Sequence, residues 1–161
     1  MPITACFSDL EEELASTRRM LERYPDGKGE WRPHTKSSTL SHLANHVAQI
    51  PGLGIAILTR DDLDFASRKP QPPVDTAAEL LARFDEVSKG LVAAFNATSD
   101  ETFKGDWTLR HGDHVIMTAK RRDLLRRLCI NHMIHHRAQV GDYYRQLDVP
   151  VPGMYGPSAD D

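Results

Sequence analysis

The residues best suited to chemistry are two histidines near the end of the chain, His132 and His136. Spaced i, i+4 in a helix, two imidazoles stack one turn apart and can turn a nitrogen toward a common ion. At 100° per residue they share a stripe with Leu125, Leu128, Cys129, Gln139 and Tyr143, so a face that should be apolar carries two metal-binding side chains. A third ligand has to come from elsewhere, and His46 is the best placed. It lies about 60° round from Leu43, at the edge of an apolar stripe, whereas His42 lies about 100° round. Three neutral nitrogens with a position left for water make the pattern of a catalytic rather than a structural site. The residues alone do not choose the ion: three imidazoles suit zinc, nickel, cobalt and copper alike.

Other residues earn smaller roles. His42 is a flank histidine, or else a fourth ligand or alternative third. His135 lies on the flank of the ligand stripe, and His111 and His114 belong to a solvated turn. Asn45, Gln139, Asp142 and Tyr143 are the polar groups able to orient imidazoles or a substrate. Arg121 points along the ligand stripe and is expected to hold an anionic substrate group. Its neighbours Lys120, Arg122, Arg126 and Arg127 scatter around the helix and form no nucleic-acid-binding face.

Two familiar metal patterns are missing. No glutamate stands three residues before a histidine, as a di-iron bundle needs. Met133 occupies the position where a zincin carries its general base.

The elements that must position these groups can be read from periodicity. A first helix is expected over about Phe7 to Tyr24, stopped by Pro25-Asp26-Gly27. Residues 28–37 form a loop in which Trp31 plugs a bundle end. A second helix, capped by Ser37 or Ser38, carries Leu40, Leu43, Val47, Ile50 and Ile57, with a kink at Pro51 just beyond His46. Residues 59–75, holding Asp61, Asp62, Asp64, Pro70, Pro72 and Pro73, read as a long crossover that lets helices two and three run parallel. A third helix spans Thr76 to about Ala97. A β-hairpin turns at His111-Gly112-Asp113, and a fourth helix runs from about Arg121 to Leu147. The expected fold is all-α: one domain over 1–161, a four-helix bundle with a long crossover and a small β-hairpin between helices three and four.

Composition narrows the function classes. A formal net charge of −3 lacks the basic footprint of a nucleic-acid binder. Cys6 and Cys129 make no disulfide framework, and Cys129 falls on the inward stripe. The opening residues lack a signal peptide's basic start and apolar core, and no apolar run reaches membrane-spanning length, so a cytoplasmic protein without membrane contact is expected.

The chain resembles the DinB/YfiT-like superfamily of bacterial metal-dependent proteins over nearly its whole length. The likeness is carried by Trp31-x-Pro33-His34, by Leu43-Ala44-Asn45-His46-Val47-Ala48 with Ile50-Pro51-Gly52, and by the Trp107 hairpin. It is strongest in Asn131-His132-Met133-Ile134-His135-His136-Arg137-Ala138-Gln139 and in the tail from Pro150 to Asp160. The resemblance implies a crossover four-helix bundle, a homodimer, and zinc, nickel or a similar divalent ion on His46, His132 and His136. It also implies activation of a water or low-molecular-weight thiol, in a hydrolase or thiol S-transferase. The alternative is a non-catalytic, stress-related metal-binding dimer. Relatives often carry Glu at the Met133 position, which removes a glutamate proton carrier here. They often carry Gly at the Ala138 position, which is expected to alter close helix packing.

Overall fold

The computed structural model describes residues 3–69 and 71–161, with the side chain of Ile3 outside the description. Pro70, part of the expected crossover, lies outside the described residues, as do Met1 and Pro2 of the opening segment. The chain is mostly helical, with one small sheet.

A 3-10 turn at Ile3–Phe7 leads into α1 (Leu10–Leu21), and the chain then turns through Gly27 at a positive φ of 76°. Helix α2 (Leu40–Thr59) begins one residue later than expected from its serines, because Thr39 accepts the His42 N–H and is the cap. It continues as one helix through Pro51. Helix α3 (Ala77–Ala97) is capped by Thr76, which accepts the Glu79 N–H while its hydroxyl donates back to the Glu79 carboxylate at 2.7 Å. That exchange locates the helix start. A short helix not evident from periodicity, α4 (Asp100–Lys104), follows and buries Phe103 completely.

The hairpin forms as expected, β2 (Asp106–His111) against β3 (His114–Lys120), with Gly112 at a positive φ of 58° in the turn. Trp107 and Leu109 alternate inward and dock the sheet on the core. The sheet has a third strand. Inside the crossover, β1 (Asp62–Asp64) pairs parallel with β2, setting Asp62 opposite Thr108 and Asp64 opposite Arg110. The expected two-stranded hairpin is thereby corrected to a three-stranded sheet that includes part of the crossover. Arg110 fastens the added strand by donating to Asp62 at 2.7 Å and to Asp64 at 2.8 Å.

The last helical run comprises α5 (Arg121–Leu124), a π-helical stretch (Leu125–Asn131) and α6 (His132–Gln146), with helical backbone across both junctions. Its buried row is Cys129, Met133, Arg137, Val140 and Tyr144. This corrects the expected phase: His132, His136, Gln139 and Tyr143 form a half-buried row beside the core row. Met133 is fully buried, and Ala138 is exposed, so an alanine there disturbs no close packing. The close approach occurs at Gly141, where an added methyl would meet Met20 Cε at 3.3 Å.

Helix α2 packs against α3 and α6, and α1 packs against the same two helices. Leu21, Leu40, Ile57, Leu80, Leu91 and Leu125 lie in the shared core without exposed surface. One buried ion pair crosses it. Arg137 of α6 meets the Glu13 carboxylate of α1 at 2.8 Å and also donates to the Glu13 carbonyl and the Thr17 hydroxyl. Tyr155 of the C-terminal tail closes the group by accepting from Arg137 and donating to Glu13. No helix among the described residues is long and apolar enough to cross a membrane.

Candidate metal centre

His46 comes from the middle of α2, and His132 and His136 from the first turns of α6, so the site forms where these two helices face each other. The three side chains converge. His46 Nε2 lies 3.1 Å from His132 Nε2, and His136 Nε2 lies 2.9 Å from the same atom. Among the described residues they are the one group of three His, Cys, Asp or Glu side chains with ligand atoms close enough to share an ion.

The far edges of the α6 rings decide which nitrogens carry protons. Leu128 O can only accept, so His132 Nδ1 holds a proton and donates it over 3.3 Å. His136 Nδ1 lies 2.6 Å from Gln139 Oε1, and with the amide oxygen on that side as acceptor the proton sits on Nδ1 here too. Both Nε2 atoms of this pair are then bare lone pairs 2.9 Å apart. No hydrogen bond can join them, whereas a cation between them satisfies both. A tetrahedral ion with bonds of about 2.0–2.1 Å spaces its nitrogens about 3.3–3.4 Å apart, slightly wider than the spacing here. The donor set therefore fits a divalent metal.

The electrostatics favour neutral rings. His46 is held down to about 4, first by burial and then by His136, His132, His42 and Arg68. His132 is lowered as well, by burial and then by His136. A neutral imidazole is the form that ligates a metal. By contrast, burial pushes the Cys129 thiol up to about 12, leaving it a core side chain.

The other expected site residues divide. Gln139 orients His136 directly. His42 is exposed on α2, one turn before His46, and lines a cavity beside the site. His135 is exposed, its ring centroid 4.9 Å from that of His136. Asn45 is buried and reaches the crossover rather than an imidazole. It donates to Val74 O at 2.7 Å and accepts from Val74 N at 3.0 Å, with Arg83 donating to the same amide oxygen. Tyr143 donates to Ser38 O and meets Trp31 edge-on, which ties the α1–α2 loop to α6.

Arg121 departs from expectation. It is buried and donates to Ile57 O at 2.6 Å, to Arg60 O, and to the Asp61 carboxylate at 3.0 Å. A guanidinium at the carbonyl end of a helix satisfies acceptors that the helix leaves open. The anion-holding role expected of it is therefore corrected: Arg121 closes α2.

Asn45 clamps the crossover over α2 and creates a wall that residue spacing did not reveal. Phe65, Arg68 and Gln71 face His42, His46 and Gln49 across a cavity of about 500 Å³. These crossover residues lie in an irregular segment without periodicity, so no sequence signal joined them to the histidines. Arg137 and Glu13 were more legible, since each falls at core spacing, four residues from Met133 and three from Leu10.

Comparison with known proteins gives a consistent picture. The model of the DinB family matches residues 3–161. An uncharacterized protein, YrdA, from Bacillus subtilis (strain 168) is 28% identical over 152 residues, covering 94% of this chain and 86% of that protein. A DinB-like protein from Bacillus subtilis, YjoA, superposes with a TM-score of 0.70 at 17% identity, covering 89% of this chain and 94% of that one. One from Bacillus cereus ATCC 10987 also gives 0.70, at 21% identity and 92% and 95% coverage.

Proposed function

The chain belongs to the DinB family, and from that premise we propose that it is a metal-dependent enzyme built on a four-helix bundle of α1, α2, α3 and α6. In this reading His46, His132 and His136 hold one divalent ion, zinc or nickel, and the reaction is of the hydrolase or thiol S-transferase type. The observation that carries the reading is the convergence of the His46, His132 and His136 ring nitrogens, with His132 Nε2 lying 3.1 Å from His46 Nε2 and 2.9 Å from His136 Nε2. A bound ion supplies Lewis acidity, lowering the pKa of a water or low-molecular-weight thiol at its open position.

The protein's own groups do the rest. The Leu128 carbonyl and the Gln139 amide fix the α6 rings with Nε2 facing inward. Desolvation at α2 keeps His46 neutral. The cavity beside His46 leaves room for a small substrate, and its mixture of imidazole, amide, guanidinium and phenyl groups suits binding better than a filled structural site. That open wall favours catalysis over the rival reading of a non-catalytic, stress-related metal-binding dimer. With Met133 sealed in the core, no glutamate at that position serves as a proton carrier. A cytoplasmic homodimer acting on a small molecule, with no nucleic acid or membrane as partner, completes the proposal.

The test is metal content by elemental analysis on the wild type and on His46→Ala, His132→Ala and His136→Ala, followed by hydrolase and thiol-conjugation screens with and without chelator. One equivalent in the wild type, lost in each variant, with activity that disappears on chelation, is the expected result. Metal-free wild type purified from metal-supplemented medium would overturn the proposal.

A further inference from the structure

The cavity beside His46 has an unusual charge make-up. Among the described residues no carboxylate lines it, and Arg68 supplies a positive charge to its wall. A second cavity of about 390 Å³ adjoins it, sharing Gln49, Arg68 and Gln71, and adds Arg60 and Lys69, again without a carboxylate. This stands against the balance of the chain, which carries more acidic than basic residues.

The nearby acidic residues of the crossover are already committed elsewhere. Asp62 and Asp64 pair with Arg110, and Asp61 pairs with Arg121. Arg68, exposed on the crossover, has no ion-pair partner among the described residues, so its guanidinium is available to the cavity. Across the cavity from the ligand His46, the wall also offers the exposed ring of Phe65 and the amides of Gln49 and Gln71.

We propose that this cavity binds a small substrate with an anionic group, a carboxylate or phosphate, paired to Arg68, and an apolar body lying on Phe65. A guanidinium fits either anion through two parallel N–H donors, and the amides add hydrogen bonds without charge selectivity. Arg68 is thus a specificity-determining residue, placed by the crossover rather than by either ligand helix. The proposal rests on the metal reading only for which part of the substrate reacts; anion recognition itself belongs to Arg68.

Calorimetric titration with three probes tests it: 3-phenylpropionate, phenethyl phosphate and the neutral 3-phenylpropanamide. Each is measured on zinc-loaded and chelator-treated wild type, Arg68→Gln and Arg68→Lys, with metal content and melting curves recorded for every sample. One or both anions should bind the wild type about tenfold tighter than the amide, and the stronger one identifies the anion. The advantage should shrink with added salt, vanish in Arg68→Gln and persist in part in Arg68→Lys. Equal affinity of all three probes, no binding of either anion, or an advantage that survives Arg68→Gln in folded protein overturns the proposal. The metal reading is scored separately. Arg68-dependent preference in a protein that takes up no ion keeps this site and sinks the metal; a loaded protein without the preference does the reverse.

Discussion

Gln139 stands one turn beyond His136 on α6 and accepts its Nδ1 proton over 2.6 Å, which turns the opposite nitrogen toward His132. Geometry that looks like a property of the histidines is thus held in part by a neighbouring amide. Groups that orient metal-binding imidazoles are worth about 10–100-fold in metal affinity. Gln139→Ala should weaken metal binding by about that factor and leave the helical circular-dichroism signal unchanged. Chelator competition measures it, and unchanged affinity would remove Gln139 from the site.

Removing the ion should lower stability through simple linkage. A ligand bound only to the folded state adds about 2.7 kcal/mol at a hundred times its Kd. For a chain of this size that corresponds to a fall in Tm of roughly 5–11 °C on chelation. Differential scanning calorimetry before and after chelation, with the ion then restored, is the measurement. His136→Ala should melt at the same temperature with and without chelator.

The metal-free protein should lose stability as the pH falls from 6.5 toward about 4. His46 titrates near 4 when folded, against an ordinary value of 6.5, so between these limits the unfolded chain binds more protons than the folded one. Its destabilising effect is absent above pH 6.5 and complete below about 4. Urea unfolding across that window should show a shallower slope in His46→Gln than in the wild type; parallel slopes would assign the pH dependence to other groups.

The Glu13–Arg137 pair predicts an asymmetric mutational cost. Both side chains are buried, and removing one partner of such a pair costs about 3–5 kcal/mol because the other charge is left uncompensated. Glu13→Ala should therefore be severely destabilising. The double variant Glu13→Leu with Arg137→Met should recover much of the loss, and Tyr155→Phe should cost only about 1 kcal/mol. Chemical denaturation of the four proteins checks the order.

Gly54 marks the close crossing of α2 over the π-helical stretch. An added methyl would lie 2.8 Å from both Cys129 Sγ and Leu91 Cδ1, in a region without slack. Gly54→Ala should destabilise by about 1–3 kcal/mol. Because α2 carries His46 and the stretch leads into His132, metal affinity should fall as well. Titration of the metal into the purified variant measures the second effect.

Local pattern determined most of the elements and singled out the three histidines that converge. Helical spacing of Leu40, Leu43 and Val47, the Thr76 cap and the Gly112 turn all act over a few residues, so their outcome is written in the order of the chain. The i, i+4 spacing of His132 and His136 is likewise local, and His46 was selected by its angle on a single helix. What lies between elements had to await the tertiary structure. The π-helical stretch changes the winding ahead of His132, so an ideal 100° count overestimated how deeply the histidine row is buried. Arg121 lies beneath the end of α2 because folding brings Ile57 and Arg60 to it from about sixty residues away. Arg68 reaches the cavity because Asn45 clamps Val74 and β1 joins the hairpin, contacts that no periodicity encodes. Short-range order selected the three histidines; long-range hydrogen bonds decided what faces them.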